Sequence, residues 1–256
     1  MKTMNTTILD ELVALSRYLA LPENDCVILA EGNTSARADE HSFWVKASGR
    51  AMAGIGPEGF VRVRFDPILA LLDGSPLDDA GIRAALAAAR IEPNAGGHPS
   101  VETVLHALCL QLPDVHFVGH THPTAINAIT CSHAFTQALA GRLFPDEIVV
   151  CGVAPMLVPY VDPGLPLARA VRDGLRRYLD TYGEPPKTIY MQNHGFIALA
   201  ATATQVAHIT AMAVKAARIL IGTYSLGGPH FLTPEHVNRI HTRPDELYRR
   251  QQLGAL

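Results

Sequence analysis

Residues 115–123 (VHFVGHTHP) constrain the fold more than any other part of the chain. Val115, Phe117 and Gly119 occupy alternate positions, which predicts a half-buried β-strand. Side chains two residues apart on a strand point to the same face, so His120 and His122 are expected side by side. Pro123 has no N–H group for a sheet ladder, so the strand should end there. The segment therefore predicts a pair of imidazoles at a strand end, where open sites are commonly built.

The histidine pair has two interpretations. Two imidazoles on one face can bind a single metal ion from one side. The chain contains 12 histidines, so the pair can also be two surface or hydrogen-bonded side chains. A metal site requires a third ligand and an acid or base from elsewhere in the sequence.

His194 is the natural third ligand. It lies between two segments that predict apolar strands, 188–191 (TIYM) and 196–199 (FIAL), beside Gly195, which allows a sharp turn or a close backbone approach. Neutral imidazole is the commonest transition-metal ligand, and three protein ligands with an open position define a catalytic zinc site. Zn²⁺ is therefore the expected metal, with Mn²⁺ or Co²⁺ as alternatives.

Two turns with small polar side chains are candidates for anion binding. Residues 26–30 (CVILA) predict a strand that enters the turn at 31–35 (EGNTS), and residues 43–46 (FWVK) predict a strand before Ala47-Ser48-Gly49. Exposed backbone N–H groups in such turns can hold an anion. The other interpretation is a pair of ordinary turns.

Residues 99–102 (PSVE) predict the start of a helix, with Ser100 as its cap and Glu102 in its first turn. Glu102 can be a surface side chain favoured by the helix dipole, or the acid or base that a metal site would need. His106, one helical turn later, has the same two interpretations.

Further elements follow from periodicity and turn residues. A helix is expected over 7–20, with an approximate capping box at Thr7 and Asp10. Further helices are expected at 76–90, 123 to about 139, 165–182 and 203–223, and strands at 60–65, 147–150 and 155–160. No segment has the composition of a linker, so one domain is expected over 1–256. Its charged tail, about 229–256, should form short helices over the body or a neighbouring subunit.

Composition limits the partners and the compartment. The chain is 48% hydrophobic and 18% charged, which is typical of a folded protein with a large core. A net charge of −3 without a basic block argues against nucleic acid. The four cysteines form no C-x-x-C motif and are expected to be buried, reduced thiols. The N-terminus lacks the apolar region of a signal peptide, and no uninterrupted apolar run is long enough for a bilayer, so we expect a cytoplasmic protein with no membrane partner.

Five motifs occur together in the order of a known family: EGNTS (31–35), KASG (46–49), PSVE (99–102) followed by Leu105 and His106, HTHP (120–123), and NHGF (193–196). On these motifs the chain resembles the class II aldolase/adducin family over most of its length. The branch most similar to it is the aldolase part of rhamnulose-phosphate-aldolase-like proteins. The resemblance implies a three-layer α/β/α sandwich around a mainly antiparallel central sheet. It also implies a homotetramer with active sites between subunits.

The resemblance assigns a role to each candidate residue. His120, His122 and His194 match the family's zinc ligands. Glu102 matches its catalytic carboxylate, which would move the proton at carbon and could also take the fourth metal position before substrate arrives. The positions that match the family's phosphate site are Gly32, Asn33, Ser48, Gly49 and Ser100.

The chain departs from the family pattern at three points. Val101 stands where relatives often have a second serine, and Glu31 precedes Gly32 where it could weaken a phosphate site. No residue matches the tyrosine that donates a proton to the aldehyde in the fuculose-phosphate relatives, and Tyr160, Tyr190 and Tyr224 remain alternatives for it. The substrate anion can therefore be a phosphate or a carboxylate.

The leading hypothesis is a metal-dependent class II aldolase, a carbon–carbon lyase. It would cleave a sugar phosphate or a related hydroxy-keto compound through a metal-stabilised enediolate. A decarboxylase, 4-epimerase or dehydratase of the same superfamily, acting on a sugar phosphate or sugar acid, is the alternative because these reactions pass through a related anion. A non-catalytic, adducin-like structural protein is a remote alternative, because all three histidines and Glu102 are present.

Overall fold

A computed structural model describes residues 7–75, 77–92, 97–246 and 248 of the chain. In this part of the chain the strands form a seven-stranded sheet with the order β3-β2-β1-β4-β7-β6-β5. The strands are β1 (Asn33–Arg37), β2 (Ser42–Lys46), β3 (Phe60–Arg64), β4 (Phe117–Thr121), β5 (Met156–Val158), β6 (Thr188–Met191) and β7 (Gly195–Ala200).

The sheet is mainly antiparallel, and β4 lies at its centre. Its neighbours β1 and β7 both run antiparallel to it, with His120 opposite Asn33 on one side and opposite Ile197 on the other. The pairing of β5 with β6 is parallel, whereas the other ladders are antiparallel. A central strand is covered on both faces, which is why all five residues of β4 are buried rather than half of them.

Helices cover both faces of the sheet and complete a three-layer α/β/α sandwich. The described α-helices are α1 (Ile8–Leu19), α2 (Phe65–Leu69), α3 (Asp79–Ala88), α4 (Thr103–Leu110), α5 (Thr124–Thr130), α6 (Phe135–Ala138), α7 (Pro145–Cys151), α8 (Leu165–Tyr182), α9 (Ala203–Thr223) and α10 (Pro234–Thr242). Short 3₁₀ helices occupy Pro22–Asn24, Pro57–Gly59, Ala70–Leu72 and Tyr224–Leu226.

Two hydrophobic cores lie on opposite sides of the sheet. Alternate residues of one strand belong to different cores: Val118 of β4 packs into the core that contains α4 and α8, and Phe117 packs into the core that contains α1 and α9. This division follows the period of two along a strand. The fold class that the family resemblance implied is therefore confirmed.

Helix boundaries agree with the sequence where capping residues mark them. Thr7 and Asp10 form the expected capping box of α1, and the side chain of Thr202 accepts a hydrogen bond from the backbone of Gln205 at the start of α9. Helix α8 ends at Gly183, which adopts a left-handed conformation with φ 71°. These local signals were sufficient to place the longest helices.

The strand predicted at 26–30 is wrong. That segment has no ladder partners, Leu29 has a φ of 52°, and the strand begins later, at Asn33. The sequence NTSAR (33–37) is polar, but it becomes a central strand because its hydroxyl groups find buried partners on neighbouring helices. Oγ of Ser16 in α1 lies 2.6 Å from Oγ1 of Thr34, and Nδ1 of His106 in α4 lies 2.6 Å from Oγ of Ser35.

The strand predicted at 147–150 is also wrong, because this segment belongs to α7. Pro145 stands at the beginning of the helix, and Glu147 lies in its first turn, where a negative charge is favourable. The Glu147 carboxylate is buried and accepts a hydrogen bond of 3.0 Å from Arg142. This ion pair, which only the structure reveals, neutralises the buried charge of Glu147.

Two smaller expectations need correction. The helix expected from 123 to about 139 is interrupted between α5 and α6. Cys131 is exposed, whereas the other three cysteines are buried as expected. In the tail, α10 is the described helix, and positions 247 and 249–256 lie outside the described residues.

Helix α9 is long and apolar enough, by length and composition, to cross a membrane. Its residues Val206, Ile209 and Val214 are instead buried in the core on one face of the sheet. This packing is that of a core helix in a sandwich fold.

Candidate metal centre

The three histidines come from two neighbouring strand ends. His120 lies in β4, His122 follows that strand, and His194 lies in the tight connection between β6 and β7. Pairing of Thr121 with Phe196 places this connection beside the end of β4. Sequence reasoning could place the pair on one strand end, but only the sheet register brings His194 to it.

Gly195 makes the close approach of the two strand ends possible. A Cβ atom at this position would lie 2.5 Å from Cδ2 of His122 and 2.7 Å from the carbonyl oxygen of Thr121. Neither distance is compatible with a side chain, so the position requires glycine. Asn193, two residues before Gly195, has a φ of 52°, which asparagine tolerates better than most residues.

The three imidazoles converge on one point. One ring nitrogen from each histidine lies within 4.8 Å of the others. The Nε2 atoms of His120 and His122 are 3.1 Å apart. Two nitrogen ligands of a tetrahedral zinc ion at about 2.0–2.1 Å from the metal would be separated by about 3.3 Å. The spacing of the imidazoles therefore fits a shared metal ion.

The hydrogen bonds of Nδ1 in His120 and in His122 also support a shared metal ion. Nδ1 of His120 lies 3.0 Å from the carbonyl oxygen of Phe196, and Nδ1 of His122 lies 3.1 Å from Oε2 of Glu31. Both oxygens accept hydrogen bonds, so both Nδ1 atoms carry protons. In the neutral rings the Nε2 lone pairs then face each other, and a cation between them removes the repulsion.

Glu102 completes a set of four candidate ligand atoms. Its Oε1 atom lies 3.1 Å from Nε2 of His194 and 3.7 Å from Nε2 of His120. Glu102 occupies the N-cap position of α4 rather than its first turn. Ser100 is not the cap, because its buried hydroxyl has no hydrogen-bond partner. The N-cap position therefore places the Glu102 carboxylate beside the histidines rather than on the outer surface of the helix.

The electrostatic environment favours a neutral His120 and an ionised Glu102. Burial lowers the pKa of His120 to about 3, which keeps its Nε2 lone pair available as a ligand. Burial raises the pKa of Glu102, but contacts with His120, His194 and Asn33 outweigh it, and the net pKa lies well below the usual value. Both groups are therefore in the protonation states that metal ligands require.

A buried chain of hydrogen bonds supports Glu102 from behind. The side-chain amide of Asn33 donates to Oε2 of Glu102 at 2.7 Å. The amide oxygen of Asn33 must then accept from Nε2–H of His106, whose Nδ1 accepts from the Ser35 hydroxyl at 2.6 Å. Burial lowers the pKa of His106 to about 4, so the ring remains neutral and the direction of the chain is fixed. His106 is thus a buried structural partner of the site rather than a surface residue.

The structure brings the candidate anion-site residues together only in part. A bridge between Ala47 and Pro99 places the Ser48 turn next to Ser100, whose buried hydroxyl has no partner. The backbone N–H of Ser48 already donates to the carbonyl oxygen of His98 at 2.8 Å. Gly49 is exposed. Gly32, with a φ of 66°, lies against the His120 carbonyl.

Asn33, the fifth candidate for the anion site, uses its side chain for Glu102 and His106. Its amide is therefore committed to the catalytic carboxylate candidate in this structure. The unpartnered hydroxyl of Ser100 is the strongest remaining indication of an anion site among these five residues.

Sequence reasoning did not assign Lys46 to the site. Its ammonium group is buried and donates to the carbonyl oxygens of Ala30 and Arg50. Burial lowers its pKa, and the negative charge of Glu102 opposes that effect. A lysine at the end of an apolar strand was the available sequence signal for this buried charge.

Asn127 and Glu31 were also not assigned to the metal centre. Asn127 donates to the backbone oxygen of His194 at 3.2 Å, while its own side-chain oxygen and Nδ1 of His194 have no hydrogen-bond partner. Glu31, Asn127 and His122 line one open cavity of about 410 Å³. This cavity reaches the Nδ1 side of His122.

None of the three candidate tyrosines donates a hydrogen bond to the histidines or to Glu102 among the described contacts. Tyr160 follows β5 at the same end of the sheet as His194, and its hydroxyl donates to Asp162 at 3.2 Å. Tyr190 is buried against Phe196, and burial raises its pKa. Tyr224 is exposed at the end of α9.

Comparison with known proteins gives a consistent result. The family profile described as "Class II Aldolase and Adducin N-terminal domain" matches residues 10–221. No curated protein sequence matches the chain. Among solved structures, the N-terminal class II aldolase domain of a conserved protein from Thermoplasma acidophilum is 26% identical, with a TM-score of 0.66 over 86% of this chain and 97% of that one.

Two further structures share the fold at lower identity. YgbL from Escherichia coli, described as an aldolase, epimerase or decarboxylase, is 16% identical, with a TM-score of 0.66 over 92% of this chain and 98% of that one. An L-fuculose 1-phosphate aldolase from Glaciozyma antarctica PI12 is 16% identical, with a TM-score of 0.62 over 96% and 90%. Because the matching profile spans most of its length, this chain belongs to the class II aldolase and adducin family.

Proposed function

We propose that this protein is a metal-dependent aldolase that cleaves a carbon–carbon bond of a sugar phosphate or a related hydroxy-keto compound. The observation that carries the proposal is the convergence of Nε2 of His120, Nε2 of His194 and Oε1 of Glu102, with Nε2 of His122 3.1 Å from that of His120. Zn²⁺ is the metal we propose, because three neutral imidazoles suit it.

The residues have distinct roles in the proposed reaction. His120, His122 and His194 would hold the metal, which when bound supplies a Lewis acid for the negative charge that develops on substrate oxygens. Glu102, held by the Asn33 amide, would move the proton at the reacting carbon. Its low pKa keeps it ionised, so it can accept that proton as a base. The Asn33–Glu102 hydrogen bond also prevents the carboxylate from rotating away.

The anion of the substrate would lie near Ser100. The buried Ser100 hydroxyl has no partner, and the buried Lys46 ammonium provides a positive charge that is not neutralised by a directly bonded carboxylate among the described contacts. Gly32, Asn33, Ser48 and Gly49 are the neighbouring positions that the family resemblance assigns to the same site. A phosphate or a carboxylate would satisfy this chemistry.

A decarboxylase or epimerase is the second candidate. One observation favours the decarboxylase: the three candidate tyrosines have other partners or locations, and decarboxylation needs no proton donor to an aldehyde. The same histidines and Glu102 would serve either reaction. A screen must therefore include sugar phosphates and keto acids, and must detect both carbon–carbon cleavage and release of carbon dioxide.

We also propose that the protein is a cytoplasmic homotetramer whose active sites lie between subunits. Exposed aliphatic side chains near the end of α9, including Ile219, Ile221 and Leu226, support burial of this surface in an assembly. Light scattering coupled to gel filtration measures the mass directly. A monomer at micromolar concentration would contradict this part of the proposal.

Metal content is the test of the proposed function. Purified wild-type protein and His122→Ala would be analysed by mass spectrometry for metals, with His208→Ala as the control because His208 is exposed on α9. We expect about one zinc or similar ion per chain in the wild type and the control, and none in His122→Ala. A wild-type protein that neither contains metal nor takes it up would contradict the proposal and favour a non-catalytic role.

A further inference from the structure

Glu31 connects the candidate metal centre to a surface loop. Its Oε2 atom lies 3.1 Å from Nδ1 of His122, and its Oε1 atom accepts a hydrogen bond of 2.7 Å from the backbone N–H of Ile28. Both oxygens of one carboxylate are therefore used, one on the imidazole and one on the loop. The sequence suggested that Glu31 could disturb an anion site, but in the structure its charge faces a histidine.

The loop that Glu31 fastens has little other support. Ile28 and Leu29 are 68% and 86% exposed, and Leu29 has a φ of 52°, an unfavourable conformation for a leucine. The backbone N–H of Glu31 donates to the carbonyl of Ile28 at 3.2 Å, and Lys46 donates to the carbonyl of Ala30. Few apolar contacts hold such a segment in place, so the Glu31 side chain is a substantial part of what fixes it.

The Nδ1 atoms of the three histidines have three different environments. His120 uses a backbone carbonyl, that of Phe196, and Nδ1 of His194 has no hydrogen-bond partner. His122 is the one whose described Nδ1 partner is a charged side chain. A carboxylate that accepts from Nδ1–H fixes the tautomer and the orientation of the ring, and makes Nε2 a better ligand.

We propose that Glu31 is a positioning residue of the metal centre, which holds His122 for metal binding and couples the order of loop 28–31 to the metal. The proposal rests on the proposed function, because it requires that the histidines bind a metal. A bound metal would fix the ring of His122, and through it the Glu31 carboxylate and the Ile28 N–H that it accepts from. Without it, the ring and the loop lose a common anchor.

Metal affinity of four proteins tests this role: wild type, Glu31→Ala, Glu31→Gln and Asp25→Asn. Asp25 is the matched control, because it lines the same cavity but accepts its hydrogen bond from Thr124 at 2.9 Å and not from a histidine. Zinc affinity would be measured by competition with a chromophoric chelator. Hydrogen exchange of residues 27–31, with and without zinc, would report on the loop.

We expect Glu31→Ala to bind zinc about 10- to 100-fold more weakly, as is typical when the partner of a ligand histidine is lost. Glu31→Gln should fall between Glu31→Ala and the wild type, because its single amide oxygen can still accept from Nδ1–H, but it carries no charge and leaves the Ile28 N–H without its acceptor. Asp25→Asn should bind like the wild type. Zinc should slow exchange in the loop of the wild type and not in that of Glu31→Ala.

Bound Co²⁺ gives a second readout that a general loss of stability would not produce. Its visible absorption bands depend on ligand geometry, so they should shift in Glu31→Ala and return towards the wild-type positions in Glu31→Gln. Equal zinc affinity and equal cobalt spectra in all four proteins would overturn the role of Glu31 while leaving the metal site intact. No zinc uptake by the wild type and Asp25→Asn would instead contradict the proposed function itself.

Discussion

Replacement of His106 by leucine isolates the energetic role of the buried hydrogen-bond chain behind Glu102. The His106 side chain is fully buried, donates to Asn33 and accepts from Ser35. Leucine has a similar size but can form neither bond. Two buried polar atoms then lack partners, at about 1–3 kcal/mol each, so His106→Leu should lose about 2–6 kcal/mol of unfolding free energy at pH 7.

The same substitution should change the pH dependence of stability. Burial lowers the pKa of His106 to about 4, from 6.5 in the unfolded chain. Between these values the unfolded chain binds a proton that the folded protein does not, so stability falls as the pH drops through this range. From pH 7 to pH 4.5 this contribution amounts to about 2.4 kcal/mol. His106→Leu lacks it, so its deficit relative to the wild type should shrink by about that amount at pH 4.5.

Urea unfolding followed by circular dichroism measures both effects. Chelator is present throughout, so that metal binding does not add to stability. His120 also titrates abnormally, but it is present in both proteins and cancels in the difference. His208→Leu, on the exposed side of α9, is the control and should remain within about 0.5 kcal/mol of the wild type.

Two results would refute the reasoning. A deficit of His106→Leu that is the same at pH 7 and pH 4.5 would show that His106 is not held neutral by burial. A deficit near zero at pH 7 would show that the hydrogen-bond chain contributes little. If His106→Leu fails to fold, Ser35→Ala provides the milder test, because it leaves only Nδ1 of His106 without a donor and should cost about 1–3 kcal/mol.

Three other substitutions test the site and its scaffold. Glu102→Gln should keep the metal but reduce turnover at least about 100-fold, and full activity in a steady-state assay would exclude Glu102 as the base. Gly195→Ala should displace the histidine rings and lose metal, because its methyl group would lie 2.5 Å from a ring carbon. Gly222→Ala, which meets no atom within 4 Å, should retain the metal in the same measurement and serves as the control. Arg142→Met should lower the unfolding free energy by about 3–5 kcal/mol, because the buried Glu147 carboxylate loses its cationic partner and keeps only the Leu143 N–H. A change below about 1 kcal/mol in urea titration would contradict this.

The site explains why several reactions are compatible with one family. The histidines, Glu102 and Asn33 form an inner set whose geometry is set by the sheet and α4. The cavity beside His122 is lined in part by Ile28 and Glu31, which lie in the loop before β1. Specificity can therefore change through the loops while the inner set remains the same.

The sequence anticipated the elements with strong local signals. The capping box at Thr7 predicted the start of α1, and the helices predicted at 165–182 and 203–223 have the bounds of α8 and α9. The histidine pair, His194 and Glu102 together were sufficient to predict a candidate metal centre, because the pair alone could also have been two surface or hydrogen-bonded side chains. The class of fold itself came from family resemblance rather than from periodicity.

Local sequence failed where distant contacts decided the structure. CVILA (26–30) has high strand propensity but forms an exposed loop, while the polar NTSAR (33–37) forms a central strand because α1 and α4 supply partners for its hydroxyl groups. EIVV (147–150) has the propensity of a strand but lies in α7, where Val149 and Val150 pack into the core that contains α9. Propensity is a weak preference that tertiary partners override.

The sequence by itself determined the chemical groups of the candidate site: three imidazoles, one carboxylate and a set of small polar turns. The tertiary structure decided how they act together. Only the pairing of β4 with β7 brings His194 to His122. Only the tertiary contact between Glu31 and His122 shows that Glu31 is a partner of this histidine, where the sequence suggested that it could weaken an anion site. These contacts join residues tens of positions apart, and such distances are set by packing and register, which no local pattern contains.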